Sequence, residues 1–113
     1  MRDLGVWAEV RPGTAPLEAG DLEGLRGIIL SGSPSSVTEP GSPRPDPGVY
    51  GAGVPVLGIC YGLQSMTVDH GGTVTPREKK EFGRSRLSIL EPIPLFAGVP
   101  DGFVSWMSHG DTV

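Results

Sequence analysis

Apolar residues in this chain come in short blocks separated by glycine and proline. Val6, Ala8 and Val10 alternate in GVWAEV, which predicts a strand. Leu17, Leu22 and Leu25 in LEAGDLEGL predict a weak helix over Leu17 to Leu25. Two further blocks, GIIL at 27 to 30 and VPVLGI at 54 to 59, are continuous where a half-covered strand would alternate, so they predict strands buried on both faces. Between them Ser31 to Pro55 is crowded with turn formers and has no apolar period, which predicts a loop. Asp46 followed by Pro47 has the form of an N-cap and first helical position, so one short turn of helix is expected around Val49 and Tyr50. Leu63, Met66 and Thr67 recur at helical spacing until Gly71-Gly72, a natural C-cap. Strand, helix, strand, loop, strand, helix is the order of an α/β fold with a parallel sheet. Further on, Thr73 to Thr75, Arg86 to Leu90 and Val104 to Met107 predict short strands, and the mixed charges of Arg77 to Glu81 predict a solvated turn.

Composition narrows the function classes. A length of 113 residues suits one domain or a piece of one. A formal net charge of -4, with no basic stripe interleaved with aromatics, argues against nucleic acid and anionic membrane as partners. The opening MRDLGVWAEVRPG lacks a basic segment followed by an apolar core, and no apolar run approaches the roughly 20 residues of a membrane span, so a cytoplasmic location is expected. One cysteine cannot form an internal disulfide, and two dispersed histidines give no zinc-ligand spacing, so no metal is expected.

That cysteine is the candidate chemistry. Cys60 stands in Gly58-Ile-Cys-Tyr-Gly62, where a predicted strand runs straight into a predicted helix. Flanking glycines let neighbouring backbone approach, which is the logic of the G-x-S-x-G nucleophile elbow with sulfur in place of oxygen. The position lies beyond the carboxyl edge of the sheet and at a helix N-terminus, whose partial positive charge favours thiolate. A buried, inert thiol is the competing reading of a lone cysteine, and G-x-C-x-G by itself does not decide between them. Other residues have equally plain alternatives. Gln64 is ordinary in a helix first turn, Tyr61 can simply pack, and Ser31 to Ser36 can be a run of turn formers.

Taken in order, GIILSGSPSSV, VPVLGICYGLQ, HGG, KEFGRS and VSWMSHGDTV resemble the class I glutamine amidotransferase domain of the GMP synthase family along nearly the whole chain. EFGRS with WMSHGD favours that branch over the anthranilate, carbamoyl-phosphate and CTP synthases, and LGVWAEVRPGTAPLE is similar to the family's second strand and the loop after it. The resemblance implies a three-layer, flavodoxin-like α/β domain with a mostly parallel sheet, of which residues 1–113 form a part lacking the first strand and the C-terminal portion. It implies that Cys60 attacks the carboxamide of glutamine, releasing ammonia and leaving a thioester that water hydrolyses. It implies an oxyanion hole from the backbone N–H groups of Ser33 and Tyr61, at about 2.7–3.1 Å from the oxyanion. Ser33 stands where many relatives have glycine, so strain is expected if that turn needs a positive φ. Gly32, Gln64, Ser108, His109 and Gly110 are implied to line the glutamine site. The family's general base is a histidine in a His-Pro-Glu segment. His109 precedes Gly-Asp and His70 precedes Gly-Gly, so neither fits, and His70 is expected to be solvated. Without that base this chain alone is expected to turn over glutamine slightly or not at all. The implied partner is an ATP-pyrophosphatase synthetase domain or subunit that uses ATP and Mg and aminates XMP to GMP, with no cofactor in the present domain. Another class I amidotransferase, a γ-glutamyl hydrolase and a non-catalytic docking relic are the alternatives.

Overall fold

The computed structural model describes residues 1–112, and of residues 77–82 and 106–112 it describes the backbone only. The chain forms two compact units, residues 1–74 and 75–112.

In the first unit the two continuous apolar blocks pair as parallel strands, β1 (Ile28–Leu30) and β2 (Val56–Gly58), with Ile28 opposite Val56 and Leu30 opposite Gly58. Residues 31–55 join them, a connection long enough for the crossover that parallel strands require. Helix α1 (Tyr61–Asp69) follows β2 directly and packs across both strands, giving the expected mixed α/β arrangement. It ends as its glycines predict: Gly71 takes φ 83°, and the Gly72 N–H donates to the Thr67 carbonyl at 2.8 Å. The strands are less buried than continuous apolar runs imply, and Ile29 remains 48% exposed. α1, the one α-helix among the described residues, covers a single face.

Two expected elements do not form. GVWAEV is not a strand; residues 5–10 are irregular, and Val6, Trp7 and Val10 are exposed. A strand needs a ladder partner for its backbone groups, and none pairs with this segment among the described residues. Instead the Arg2 guanidinium donates to the Ala8 carbonyl at 3.0 Å and lies over the Trp7 ring at 4.5 Å. The helix expected over Leu17 to Leu25 shrinks to a 3-10 turn, Ala19–Leu22, closed by a capping box between Glu18 and Asp21. Its apolar residues are too few to bury a helical face, and Gly20 and Gly24 lower its intrinsic propensity.

The short turn at Asp46 does form, as Pro47–Val49. One oxygen of Asp46 accepts from the Gly48 N–H at 2.8 Å and the other from the Leu17 N–H at 3.0 Å, so one carboxylate ties the long loop to the N-terminal segment. These two backbone donors, Gly48 first, hold its pKa below the usual carboxylate value. The core is small: Val37, Tyr61 and Val74 are buried together, with Val68 packed against them.

The second unit is an antiparallel hairpin of β3 (Thr75–Leu87) and β4 (Phe103–Thr112), with a register irregularity between Pro76 and Glu81. Of the short strands expected at Thr73 to Thr75 and Arg86 to Leu90, Thr75 opens and Arg86 and Leu87 close one long strand, while residues 73–74 and 88–90 lie outside it; Val104 to Met107 lies inside β4. Arg77 to Glu81, expected as a turn, belongs to the strand backbone at that irregularity, where a shifted register absorbs residues that do not alternate. Near the turn, the Gly102 N–H donates to the Leu87 carbonyl at 3.0 Å and the Ile89 N–H to Asp101 at 2.8 Å.

Two outcomes test this packing. A Cβ at Gly62 would sit 1.9 Å from the Leu30 carbonyl oxygen, so Gly62→Ala should lower unfolding free energy by at least about 2 kcal/mol in a urea titration. Gly13→Ala, with open space around it, should change it by less than about 0.5 kcal/mol. Because folding lowers the Asp46 pKa, its contribution is complete above the ordinary value of 3.8 and is lost as the pH falls through the folded value. The stability gap between the unsubstituted protein and Asp46→Ala should therefore close in acid below that value; a gap unchanged at pH 2 contradicts it.

Candidate active site

The site is assembled where β2 stops. Ile59 N–H donates to the Leu30 carbonyl at 2.9 Å, continuing the parallel pairing one residue past β2. The chain then reverses at Cys60, which has φ 51° and ψ -113°, the sole positive φ of a non-glycine residue among those described. Such a conformation costs on the order of 1–3 kcal/mol and persists only where surroundings impose it. Here they do. Gly62 N–H donates to the Ile59 carbonyl at 2.9 Å, and Gln64 N–H to the Cys60 carbonyl at 3.0 Å, so the helix is already winding around the cysteine. The glycines on either side are required by sterics: a Cβ at Gly58 would meet Leu63 Cα at 2.7 Å, and Gly62 lies hard against Leu30. The result is an exposed thiol held on a sharp bend at the start of α1.

The serine-rich loop comes up beside it. A Cβ on Gly32 would lie 3.5 Å from Cys60 Cβ, so this loop backbone runs alongside the cysteine. Ser33, next along, has no positive φ, and the strain considered for a serine there does not arise. Its hydroxyl accepts from the Ser35 N–H at 3.2 Å, fastening the turn locally. The backbone N–H groups of Ser33 and Tyr61 donate to no acceptor among the described residues. For Tyr61 this follows from its place in the first turn, where amides have no intrahelical partner.

Other predicted residues are placed differently. Gln64 is buried in the first turn of α1, at 7% exposure. A cavity of about 310 Å³ lies between Ser31–Pro34, Pro43, Tyr61 and Ser65; neither Cys60 nor Gln64 lines it, so it sits beside the bend and not over the sulfur. Ser108, His109 and Gly110 fall on β4 in the second unit, with Ser108 opposite Phe82 and His109 opposite Glu81; their contribution to the site lies outside the described residues. His70 is exposed, as expected, but not merely solvated: its ring meets Tyr50 edge-on at 4.7 Å, and Nδ1 lies 2.8 Å from the Met66 carbonyl.

Sequence reasoning missed the ties that hold the loop to α1. Tyr50 donates to Asp69 at 2.7 Å, and Arg44 bridges the other oxygen of Asp69 at 2.9 Å. Burial, with Asp69 beside it, pushes the Tyr50 pKa upward, so the phenol stays a donor. Ser65, 1% exposed, is close enough to Tyr50 to oppose that shift slightly, yet its hydroxyl has no partner in hydrogen-bond geometry. Sequence separations of 19 and 25 residues leave no local signal for these contacts. Among the described residues no group of three or more His, Cys, Asp or Glu side chains could hold a metal ion.

The glutamine amidotransferase class-I family matches residues 1–113. A glutamine-hydrolyzing GMP synthase from Nitratiruptor is 48% identical over all of this chain and 23% of its own length, and one from Aquifex aeolicus is 46% identical over 22% of its length. The chain thus spans less than a quarter of these relatives. A crystal structure from Thermoplasma acidophilum, assigned to one subunit of a GMP synthase, superposes with a TM-score of 0.69 at 27% identity, over 97% of this chain and 55% of that one. A strained cysteine between two obligatory glycines, flanked by the serine-rich loop, is therefore seen in a chain that belongs to the class I glutamine amidotransferase family.

Proposed function

We propose that the protein containing this chain hydrolyses glutamine at Cys60 and passes the ammonia to an ATP-using synthetase domain or subunit that aminates XMP to GMP. The observation that carries this is the bend itself: an exposed thiol in a conformation that its surroundings hold, with the backbone amides of Ser33 and Tyr61 donating to no acceptor among the described residues. In this reading Cys60 sulfur attacks the carboxamide carbon and negative charge moves to the carbonyl oxygen. The N–H groups of Ser33 and Tyr61 stabilise that oxyanion. Collapse expels ammonia and leaves a γ-glutamyl thioester, which water opens to glutamate and the free thiol.

The departing nitrogen needs a proton. Neither histidine of this chain is assigned as its source, since His70 is engaged by Tyr50 and the α1 C-terminus, and His109 is followed by Gly-Asp. A donor elsewhere in the protein would supply the 10²- to 10⁴-fold typical of general acid-base catalysis. Gly32, beside Cys60, and Gln64 are read as walls of the glutamine site. This reading takes the cytoplasm as the place of action. No helix among the described residues is long and apolar enough to cross a membrane.

Two measurements test this. Cys60→Ser in the full-length gene product should lower glutamine-dependent GMP formation by at least about 10³-fold while leaving formation from added ammonium salts within about twofold. Equal loss of both activities, or loss of neither, contradicts the assignment. Because the thiol is exposed, iodoacetamide should modify one site per chain without denaturant; a thiol that reacts only after unfolding is a buried hydrophobe.

A further inference from the structure

Tyr61 has a second attachment to this site, through its side chain. Its backbone amide follows the nucleophile directly, while its ring is buried at 7% exposure against Val37 and Val74 and its hydroxyl donates to the Pro43 carbonyl. Val37 and Pro43 both belong to the long 31–55 loop that carries Ser33. That loop has no strand ladder, and its one helical turn lies far along it, at Pro47–Val49. Among the described residues, the hydrogen bond of Ser33 is a local one, to Ser35. Among the described contacts the Tyr61 ring ties this loop to the bend, gripped by Val37 on its apolar side and by Pro43 at its hydroxyl, with Ser42 Oγ joined to the Val37 carbonyl at 3.4 Å. The cavity of about 310 Å³ lined by Ser33, Pro34, Pro43 and Tyr61 means that close packing does not otherwise fix this part of the loop. A second tie, Arg44 and Tyr50 to Asp69, holds the loop at the opposite end of α1.

We infer that the Tyr61 hydroxyl, through its bond to the Pro43 carbonyl, is a positioning group that sets the spacing between the two oxyanion-binding amides, its own and that of Ser33. This rests on the reading of Cys60 as a glutamine-attacking nucleophile. The tyrosine side chain thereby does for the loop what its main chain does for the transition state, and both depend on one residue being fixed. Phenylalanine keeps the ring packing and removes only the tether.

The test uses the full-length gene product and two reagents that react with the same sulfur. A chloroketone analogue of glutamine is attacked at its carbonyl and passes through an oxyanion. Iodoacetamide loses iodide from a saturated carbon and forms none. Tyr61→Phe should slow chloroketone labelling of Cys60 about three- to tenfold and leave the iodoacetamide rate within about twofold, and the same substitution should lower kcat for glutamine hydrolysis with KM little changed. Loosening or unfolding of the domain would shift both labelling rates together, and that outcome overturns the inference, as does an unchanged chloroketone rate. If the unsubstituted protein is not labelled at Cys60 by the chloroketone, the nucleophile reading fails, and the tether falls with it. If it is labelled and Tyr61→Phe is labelled equally fast, only the tether fails.

Discussion

Everything in the first unit is organised by how closely the start of α1 approaches the end of β1. The Gly62 α-carbon lies against the Leu30 carbonyl with no room for a methyl group. That contact fixes the angle at which the chain leaves the sheet, and Cys60, caught between, has to take up φ 51°. Hydrogen bonds on both sides of the cysteine lock the bend: Ile59 to Leu30 before it, Gln64 to Cys60 after it. The strain is thus imposed by steric necessity in two glycines and not by any partner of the thiol itself. The bend and the packing are here the same geometric fact, since a β-carbon at either glycine would push the helix off the strands and relax the bend.

The loop between β1 and β2 shows how a segment without regular structure can still be placed. Its polar groups are satisfied piecemeal, by Asp46 at a helical turn, by Asp69 at the end of α1 and by a tyrosine hydroxyl in the core. Each contact is between side chain and backbone or between side chains, so each can be lost without disturbing the sheet. Burial decides their relative weight. The Arg44 and Asp69 pair is partly exposed and weak by the usual standard of surface ion pairs, whereas the Tyr61 side chain is buried in the small core and its bond to Pro43 is only partly open to water.

How far the sequence discloses this depends on range. GIIL, VPVLGI and the helix after Cys60 are legible because each is a local pattern bounded by turn formers, and the Asp46-Pro47 cap is legible for the same reason. GVWAEV shows the limit: alternation describes a face, but a strand also needs a neighbour, and pattern alone does not say whether one is present. The long β3 reads as two short pieces because the charged run at Arg77 to Glu81 interrupts its alternation, and the register irregularity there explains how a strand tolerates it. Cys60, Gly32, Ser33 and Tyr61 are identifiable from G-x-C-x-G and the family's motifs. The tie from Tyr61 to Pro43 is not, because an acceptor carbonyl carries no side-chain signature.

The single cysteine has one more consequence, which concerns what can be observed. Within residues 1–113 a fluorophore or nitroxide coupled through sulfur has one attachment point. Any such reporter would stand at the junction of β2, α1 and the serine-rich loop. Spectral broadening or quenching there would read out the breathing of that junction.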